Sequence, residues 1–171
     1  MSVHPPIQGS EVFIARRRRL AARLGERPAA LFAGDLSPRN YAANIHPYRA
    51  HSHFLYFTGT AWPGAVLLGE DDEWEIFAAP PAPDDALWIG PSASWEALAA
   101  AIGVQAIRPI AELPDALAAR GGAQAVATVP AIHPLTWADF EPTWDEARRL
   151  LPWLLAACAS TAAAGRDDVA P

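Results

Sequence analysis

Hydrophobic residues recur at helical spacing near the start of the chain, and this pattern predicts a helix with Ser10 as its N-cap. The apolar side of the helix consists of Phe13, Ile14, Leu20 and Leu24. Gly25 and Pro28 follow and end it. Residues 16–19 are four consecutive arginines, and a helix distributes adjacent residues around its circumference. We therefore expect a solvated basic surface whose long side-chain stems rest on the core.

Short apolar runs between the first helix and the middle of the chain predict strands. The run over residues 29–34 is apolar throughout, which favours a buried strand. Three later runs, separated by turn sequences, are typical of an antiparallel meander: residues 53–58, 65–69 and 74–79. Residues 70–73 are all acidic, and they fit a hairpin turn better than a cation site because they lack the spacing of a calcium loop.

The second half of the chain alternates between strand and helix patterns. The predicted strands cover residues 86–89, 104–107 and 124–129, and the predicted helices cover residues 94–102, 112–120 and 143–151. Ser94 is a suitable N-cap and Gly103 a suitable end for the first of these helices. Strand–helix–strand alternation implies crossovers onto a partly parallel sheet. The predicted fold class is therefore α/β, with a mixed sheet, an antiparallel portion in its middle and helices on both faces.

The length of 171 residues suits one domain with a substantial core. We expect that domain to cover residues 10–155, after a flexible lead-in over residues 1–9 that contains adjacent prolines. Residues 156–171 are small and polar and are expected to form a tail. The apolar residues 150–155 either cover the sheet or form an interface.

Composition excludes several kinds of chemistry. All 13 basic residues are Arg, so a Schiff-base lysine, a phosphate-loop lysine and a Ser–Lys dyad are excluded. Cys158 is the single cysteine, which excludes an internal disulfide and a thiolate metal cage and favours a reducing compartment, the cytoplasm. The first ten residues lack a signal-peptide pattern, and no apolar run approaches the ~20 residues of a membrane span, so we expect no membrane contact.

Charge is distributed unevenly along the chain. The net charge of −6 argues against nucleic acid as a partner. Residues 1–50 contain eight arginines against three acids, whereas residues 51–171 contain five arginines against sixteen acids. A basic end and an acidic body can steer like chains towards each other, although solubility alone also explains the asymmetry.

His46, His51 and His53 are the only cluster of metal-ligand type. If residues 53–58 form a strand, His51 and His53 face the same side and can share one divalent ion. No Asp or Glu lies within ten residues of the cluster, so the favoured alternative is a polar strand edge or a histidine pair lining a pocket, hydrogen-bonded and without a metal. Ser52 lies between the two histidines, where neither serves easily as its base. Trp62 and Trp88, beside turns, are expected to offer half-exposed apolar plates.

Three segments together resemble a known family. They are residues 16–20 (RRRRL), residues 44–59 (NIHPYRAHSHFLYFTG) continued by residues 62–67 (WPGAVL), and residues 87–90 (LWIG). Their order and spacing are similar to the N-terminal domain of aminopeptidase P, in the Xaa-Pro aminopeptidase, prolidase and creatinase group. The resemblance covers roughly residues 10–120, and it implies a ribonuclease-H-like α/β fold, in agreement with the predicted mixed sheet.

The resemblance also implies where catalysis occurs in such enzymes. In the full enzymes a "pita-bread" catalytic domain follows, in which two Asp, one His and two Glu hold two divalent ions, commonly manganese, that activate water to cut the bond before proline. The carboxylates and histidines of this chain do not match those five ligands. We therefore expect the pita-bread domain to be absent, no cofactor to be held by this chain, and the chain to be inert as a peptidase.

In the family, the first domain contributes to oligomer contacts and shapes the mouth of the active site. The resemblance therefore implies a substrate-entrance or partner contact in this chain. Its residues are the positions that match the family's motif or replace its acids: Arg49, His51, His53, Tyr56 and Trp88. Trp88 matches an aromatic residue that can lean over a partner's substrate pocket. The family reads RQDSD where this chain has residues 49–53 as RAHSH, so two acids are replaced by His51 and His53.

The leading hypothesis is a non-catalytic, oligomerising domain that shapes the substrate entrance of an Xaa-Pro-peptidase-like protein. Its expected partners are further copies of the chain or a peptidase catalytic domain, together with a proline-containing peptide. The alternative is a stand-alone peptide- or protein-binding module of the same fold that presents His51, His53 and Trp88. A third hypothesis is a small metal-dependent enzyme at the histidine cluster.

Overall fold

A mixed five-stranded sheet forms the centre of the protein in the computed structural model, which describes residues 3–25, 27–40, 44–81, 87 and 93–129. The strands are β1 (Ala29–Phe32), β2 (Val66–Glu70), β3 (Glu73–Ala78), β4 (Ala106–Pro109) and β5 (Ala127–Thr128). Their order is β4-β3-β2-β1-β5. The β1/β2 and β2/β3 pairs are antiparallel, and the β3/β4 and β1/β5 pairs are parallel. The predicted mixed sheet with a central antiparallel portion is confirmed.

Helices lie on both faces of the sheet, as predicted. They are α1 (Ser10–Leu24), α2 (Ser52–Thr58), α3 (Trp95–Ile102) and α4 (Leu113–Ala119), the last preceded by a 3₁₀ turn over Ile110–Glu112. In the described part of the chain, no helix is long and apolar enough to cross a membrane.

Successive side chains of a strand point to opposite faces of the sheet, so the hydrophobic core has two parts, one on each face. On one face, side chains of the sheet pack with α1, α2 and α3: Leu31, Leu67 and Ile76 meet Leu20, Phe54, Phe57, Leu98 and Ile102. On the other face, Phe32, Val66, Leu68 and Phe77 pack with Ala116 of α4. Each such apolar side chain contributes roughly 1.5–3 kcal/mol by leaving water. Both faces of the central strands are therefore fixed by burial, and a one-residue register slip would exchange them.

Helix α3 begins and ends at the capping residues that the sequence predicts. Ser94 Oγ accepts a hydrogen bond from the Ala97 backbone N–H at 3.2 Å, which satisfies one of the donors that a helix start leaves unpaired. Gly103 ends the helix in the left-handed conformation.

The acidic residues 70–73 form the turn between β2 and β3, as predicted, with Glu70 paired to Glu73. For α1, Gly9 rather than Ser10 is the N-cap, a one-residue correction.

The prediction of a strand over residues 53–58 is wrong, because these residues form α2. Phe54, Phe57 and Thr58 are buried, which is helical spacing and not strand alternation. Thr58 Oγ1 donates to the Phe54 carbonyl at 2.7 Å, and Gly59 ends the helix in the left-handed conformation. The run of aromatic residues resembles a strand locally, and packing against α1 and the sheet determines the helix instead. The meander therefore consists of β1, β2 and β3.

Two further expectations are corrected by burial. Arg17 lies inside the protein with an exposed fraction of 2%, so the four arginines do not all form a solvated surface. Its guanidinium donates hydrogen bonds to backbone carbonyls at the ends of α2 and α3. Trp62 is 6% exposed and packs edge-on against Trp95, so it is a core residue and not a half-exposed plate.

Several predictions concern residues outside the described ranges. These are the strand over residues 86–89 apart from Leu87, which is exposed and helical and so contradicts the strand at that position, the helix over residues 143–151, the apolar residues 150–155, Trp88, Cys158 and the tail. The expected lead-in contacts the domain at two described points: Thr60 Oγ1 donates to the His4 carbonyl at 2.8 Å, and Val3 packs against the core.

Candidate functional site

The candidate site lies where β1 ends and α2 begins. After β1 the chain continues through Ala33 to Gly34, and it returns beside the same residues at positions 48–51. The His51 backbone N–H donates to the Ala33 carbonyl at 2.9 Å. The Tyr48 hydroxyl lies 3.1 Å from the Ala33 carbonyl and 3.3 Å from the Gly34 carbonyl, so its proton is shared between them. These bonds hold the start of α2 against the carboxyl end of β1.

His51 and His53 are neighbours, although α2 is not a strand. Their ring centroids are 5.3 Å apart, and the rings are tilted by 55°. His53 Nε2 lies 3.1 Å from the Phe32 carbonyl, and since a carbonyl only accepts, Nε2 carries the proton. Burial, with a smaller contribution from repulsion by His51, lowers the pKa of His53 to about 4. His53 is therefore neutral at physiological pH, which fits the expected hydrogen-bonded histidine pair.

Gly34 makes room for the His51 ring. Gly34 has φ +77°, in the left-handed region that favours glycine. A Cβ at this position would lie 2.7 Å from His51 Nε2, closer than van der Waals contact allows. The absence of a side chain at Gly34 therefore determines where the His51 ring can lie.

Arg49 and Ser52 form the exposed part of the site. Both residues face solvent, and Arg49 Nη1 donates to Ser52 Oγ at 3.3 Å. The guanidinium has further N–H groups, which can donate to a carboxylate or a peptide carbonyl. Of the five predicted contact residues, His51 and His53 lie side by side, and Arg49 contacts Ser52, which stands between them in the sequence.

Tyr56 lies elsewhere on α2, against α1. The Arg16 guanidinium carbon is 4.2 Å from the centroid of the Tyr56 ring, and Arg16 Nη1 donates to the Tyr56 carbonyl at 2.7 Å. The Tyr56 ring also meets Phe57 edge-on. These contacts make Tyr56 part of the α1–α2 packing. Trp88 lies outside the described residues, so its predicted contact stays a prediction.

Metal binding by the three histidines is not favoured by the geometry. His46 is exposed on the preceding loop, where its backbone N–H donates to the Ser37 carbonyl. Within the described ranges, no three His, Cys, Asp or Glu residues form a group that could hold a metal ion. Among these described residues, His51 and His53 therefore have no third ligand beside them.

Sequence reasoning missed Gly34 and Tyr48 as residues that shape the site. The signal for Gly34 is a glycine at the end of the predicted buried strand, where a left-handed turn is common. Tyr48 carries no local signal, because its two acceptors are backbone carbonyls 14 and 15 residues earlier.

Comparisons with known proteins agree on one family. The family model described as "Aminopeptidase P, N-terminal domain" matches residues 13–128. Intermediate cleaving peptidase 55, a mitochondrial protein of Arabidopsis thaliana, is 29% identical over 110 residues, which are 63% of this chain and 22% of the relative.

Solved structures give the same result at the level of the fold. Aminopeptidase PepP of Pseudomonas aeruginosa is 26% identical with a TM-score of 0.63, and the match covers 98% of this chain and 36% of that one. Aminopeptidase P of E. coli in its low-pH form is 22% identical with a TM-score of 0.62, covering 82% of this chain and 32% of that one. The chain thus spans about a third of these solved chains and less than a quarter of the plant peptidase.

Proposed function

The chain belongs to the family of aminopeptidase P N-terminal domains, and from this premise we propose that it is a non-catalytic domain of an Xaa-Pro aminopeptidase-like protein that contributes to oligomerisation and shapes the substrate entrance. The observation that carries the proposal is the family match over residues 13–128, which includes the whole candidate site. The catalytic step would be performed by a peptidase domain, and this domain would guide the peptide towards it.

The candidate site supports an entrance role by its chemistry. Arg49 presents an exposed cation whose spare N–H groups suit a peptide carboxylate or carbonyl. His51 and His53 stand where the family has acids, so the loop is less negative here than in relatives that keep them. A less negative entrance would attract a peptide amine less strongly and repel carboxylates less strongly.

Hydrolysis by the purified chain tests the non-catalytic part of the proposal. With manganese present, we expect no cleavage of an Xaa-Pro peptide above the background of buffer and metal. Cleavage that a chelator abolishes would overturn the proposal, since it would place a complete catalytic centre in these 171 residues.

NMR of the labelled chain tests the entrance role. We expect a short Xaa-Pro peptide to shift the backbone resonances of Arg49, Ser52 and His53 more than those of α3. The matched control is the same peptide with Ala in place of Pro, and the matched variant is Arg49→Gln, which removes the exposed cation. Shifts that are absent, or equal across the domain, would contradict an entrance role and leave the family assignment intact.

We also propose a cytoplasmic location, on the grounds that a single cysteine, Cys158, fits a reducing compartment. The Arabidopsis relative is named as mitochondrial, so the organelle is the competing outcome. Fractionation of cells that express the tagged natural gene distinguishes the two.

A further inference from the structure

The segment that precedes α1 is extended, and its sequence determines that conformation. A proline fixes its own φ at about −65°, and it restricts the residue before it to the β or polyproline II region. Pro5 and Pro6 therefore favour a polyproline II turn, which has three residues per turn and places residues three apart on the same side. Val3 and Pro6 are half-buried, whereas His4 and Pro5 between them are exposed. Residues 3–6 thus lie against the domain with one side of such a turn.

The apolar part of the surface that receives this turn comes from α1 and from the end of α2. Phe13 of α1 is 1% exposed, and its ring lies beside Gly59, the residue that ends α2. Gly59 has φ +70°, and a Cβ at this position would lie 2.7 Å from Pro6 Cβ and would also collide with the Phe13 ring. The proline ring and the aromatic ring therefore both pack onto the bare backbone of Gly59.

A buried hydroxyl group supplies the polar contact beside these apolar residues. Thr60 is 3% exposed, and its Oγ1 donates to the His4 carbonyl at 2.8 Å. The Thr60 backbone N–H donates in turn to Thr58 Oγ1 at 3.4 Å, which helps to position the residue. A polyproline II backbone makes no internal hydrogen bonds, so its carbonyls are available to a donor such as this hydroxyl. We call Phe13, Gly59 and Thr60 the proline groove.

We propose that the proline groove is a binding site for a polyproline II segment with adjacent prolines, and that residues 3–6 occupy it as an intramolecular ligand. An aromatic side chain beside a buried hydrogen-bond donor is the arrangement by which proteins bind preformed polyproline II segments. The groups that are recognised are an internal carbonyl and a proline ring, so the ligand needs no free N-terminus. The groove lies at the end of α2 and the candidate site at its start, so the inference does not depend on the entrance role.

A proline-containing peptide from outside the chain would compete with residues 3–6 for the groove. The connection from this segment to α1 contributes little burial, since Ile7 is fully exposed and Gln8 and Gly9 are exposed as well. A ligand on a short tether has an effective concentration on the order of millimolar, so residues 3–6 mask the groove from a dilute peptide of similar affinity. The segment is therefore autoinhibitory, and weakening it should open the groove.

NMR titration of the labelled full-length chain measures this competition. The probe is acetyl-VHPPIQ-amide, which repeats residues 3–8 with both ends blocked. In the double variant Pro5→Ala/Pro6→Ala the intramolecular ligand lacks its prolines, so the probe binds at least about tenfold more tightly than to the wild type and shifts the resonances of Gly59 and Thr60. The matched control peptide has Ala in place of both prolines and produces no such shifts.

Two substitutions of Thr60 in the double variant test the hydrogen bond. Thr60→Val keeps the shape of the side chain and removes the hydroxyl, so it raises the dissociation constant of the probe about tenfold. Thr60→Ser retains the hydroxyl and keeps the affinity within a few-fold of its starting value. Equal melting temperatures of the two Thr60 variants show that the difference does not come from unfolding.

Each outcome has a distinct meaning. The groove is overturned if neither the wild type nor the double variant binds the probe, or if the Ala peptide binds as well as the probe does. Equal affinity of the wild type and the double variant overturns the occupancy by residues 3–6. Shifts at Arg49 and Ser52 without shifts at Gly59 and Thr60 also overturn the groove, and they leave the proposed entrance role standing.

Discussion

Arg17 joins three helices from inside the core. Its guanidinium donates to the Phe57 carbonyl at 2.8 Å, to the Ile102 carbonyl at 3.1 Å and to the Gly103 carbonyl. These carbonyls stand at the carboxyl ends of α2 and α3, where helices lack internal partners and carry negative dipole charge. Burial lowers the pKa of Arg17 to about 10, so it is still charged at neutral pH. One residue of α1 thus caps two other helices.

We expect Arg17→Met to lower the free energy of unfolding by roughly 3 kcal/mol or more, because it leaves buried carbonyls without donors. Urea titration measures the loss. Arg23→Met on the exposed side of α1 is the matched control and changes the free energy by less than about 0.5 kcal/mol. Losses of similar size for both variants would show that the buried hydrogen bonds of Arg17 do not account for its contribution to the free energy of unfolding.

His53 makes stability depend on pH in a defined window. Its pKa falls from an ordinary value of 6.5 to about 4 in the folded protein, so between these values the unfolded chain binds more protons. The contribution of neutral His53 to the free energy of unfolding is complete above pH 6.5. It is lost as the pH falls towards 4, by up to roughly 3 kcal/mol at 1.4 kcal/mol per pKa unit. The carboxylates add their own pH dependence, so the test is the difference between wild type and His53→Gln across this range. His46→Gln, on the exposed loop, is the control. If the difference in unfolding free energy between wild type and His53→Gln stays constant across this pH range, the assignment of a neutral, buried His53 is contradicted.

At the scale of elements, Gly34 fixes the connection between β1 and α2. We expect Gly34→Ala to displace the His51 ring and to cost more stability than the left-handed backbone strain of roughly 1–2 kcal/mol. Gly64→Ala isolates the strain, since Gly64 also has positive φ but an added Cβ there meets nothing within 4 Å. Chemical unfolding and the imidazole proton resonances of His51 and His53 are the measurements. If the two variants cost the same and the histidine resonances do not move, the close approach of Gly34 to His51 has no structural role.

Elements with local signals could be predicted from the sequence, and elements set by distant contacts could not. The Ser94 cap and the Gly103 end lie within one helix length of each other, so α3 was correctly predicted. For α2 the determining contacts are remote: Arg17 reaches its last turn from 40 residues away and α3 from 85 residues away. The same distances explain why Arg17 was expected in solvent, because no local pattern marks a buried arginine.

The sequence predicts which residues belong to the candidate site better than it predicts how those residues are arranged. His51 and His53 do lie side by side, but through a helix start and not through strand alternation, and Arg49 contacts Ser52 at the same helix start. Tyr56 matches the family motif and yet packs against Arg16 of α1, a contact across 40 residues that no local pattern marks. A motif gives the residues of a site, and only the backbone between them decides which side chains share a surface.

At the scale of the whole molecule, stability is concentrated in the middle of the described sheet. Leu31 of β1 and Leu67 of β2 are almost fully buried, and both strands have neighbours on each side. In contrast, β4 is the edge strand next to β3, and all of its residues are only half-buried. Regions with fewer buried contacts open more readily without global unfolding.

Native-state hydrogen exchange should therefore rank the strands by position. We expect the amides of Leu31 and Leu67 to exchange at the rate of global unfolding, and that of Ile107 in β4 to exchange about a hundredfold or more faster, through local opening. Adding a low concentration of urea should accelerate exchange at Leu67 strongly and at Ile107 only weakly, because local opening exposes little surface. Equal rates at Leu67 and Ile107, with equal urea dependence, would mean that the sheet opens only as one cooperative unit and that the edge position of β4 carries no weakness.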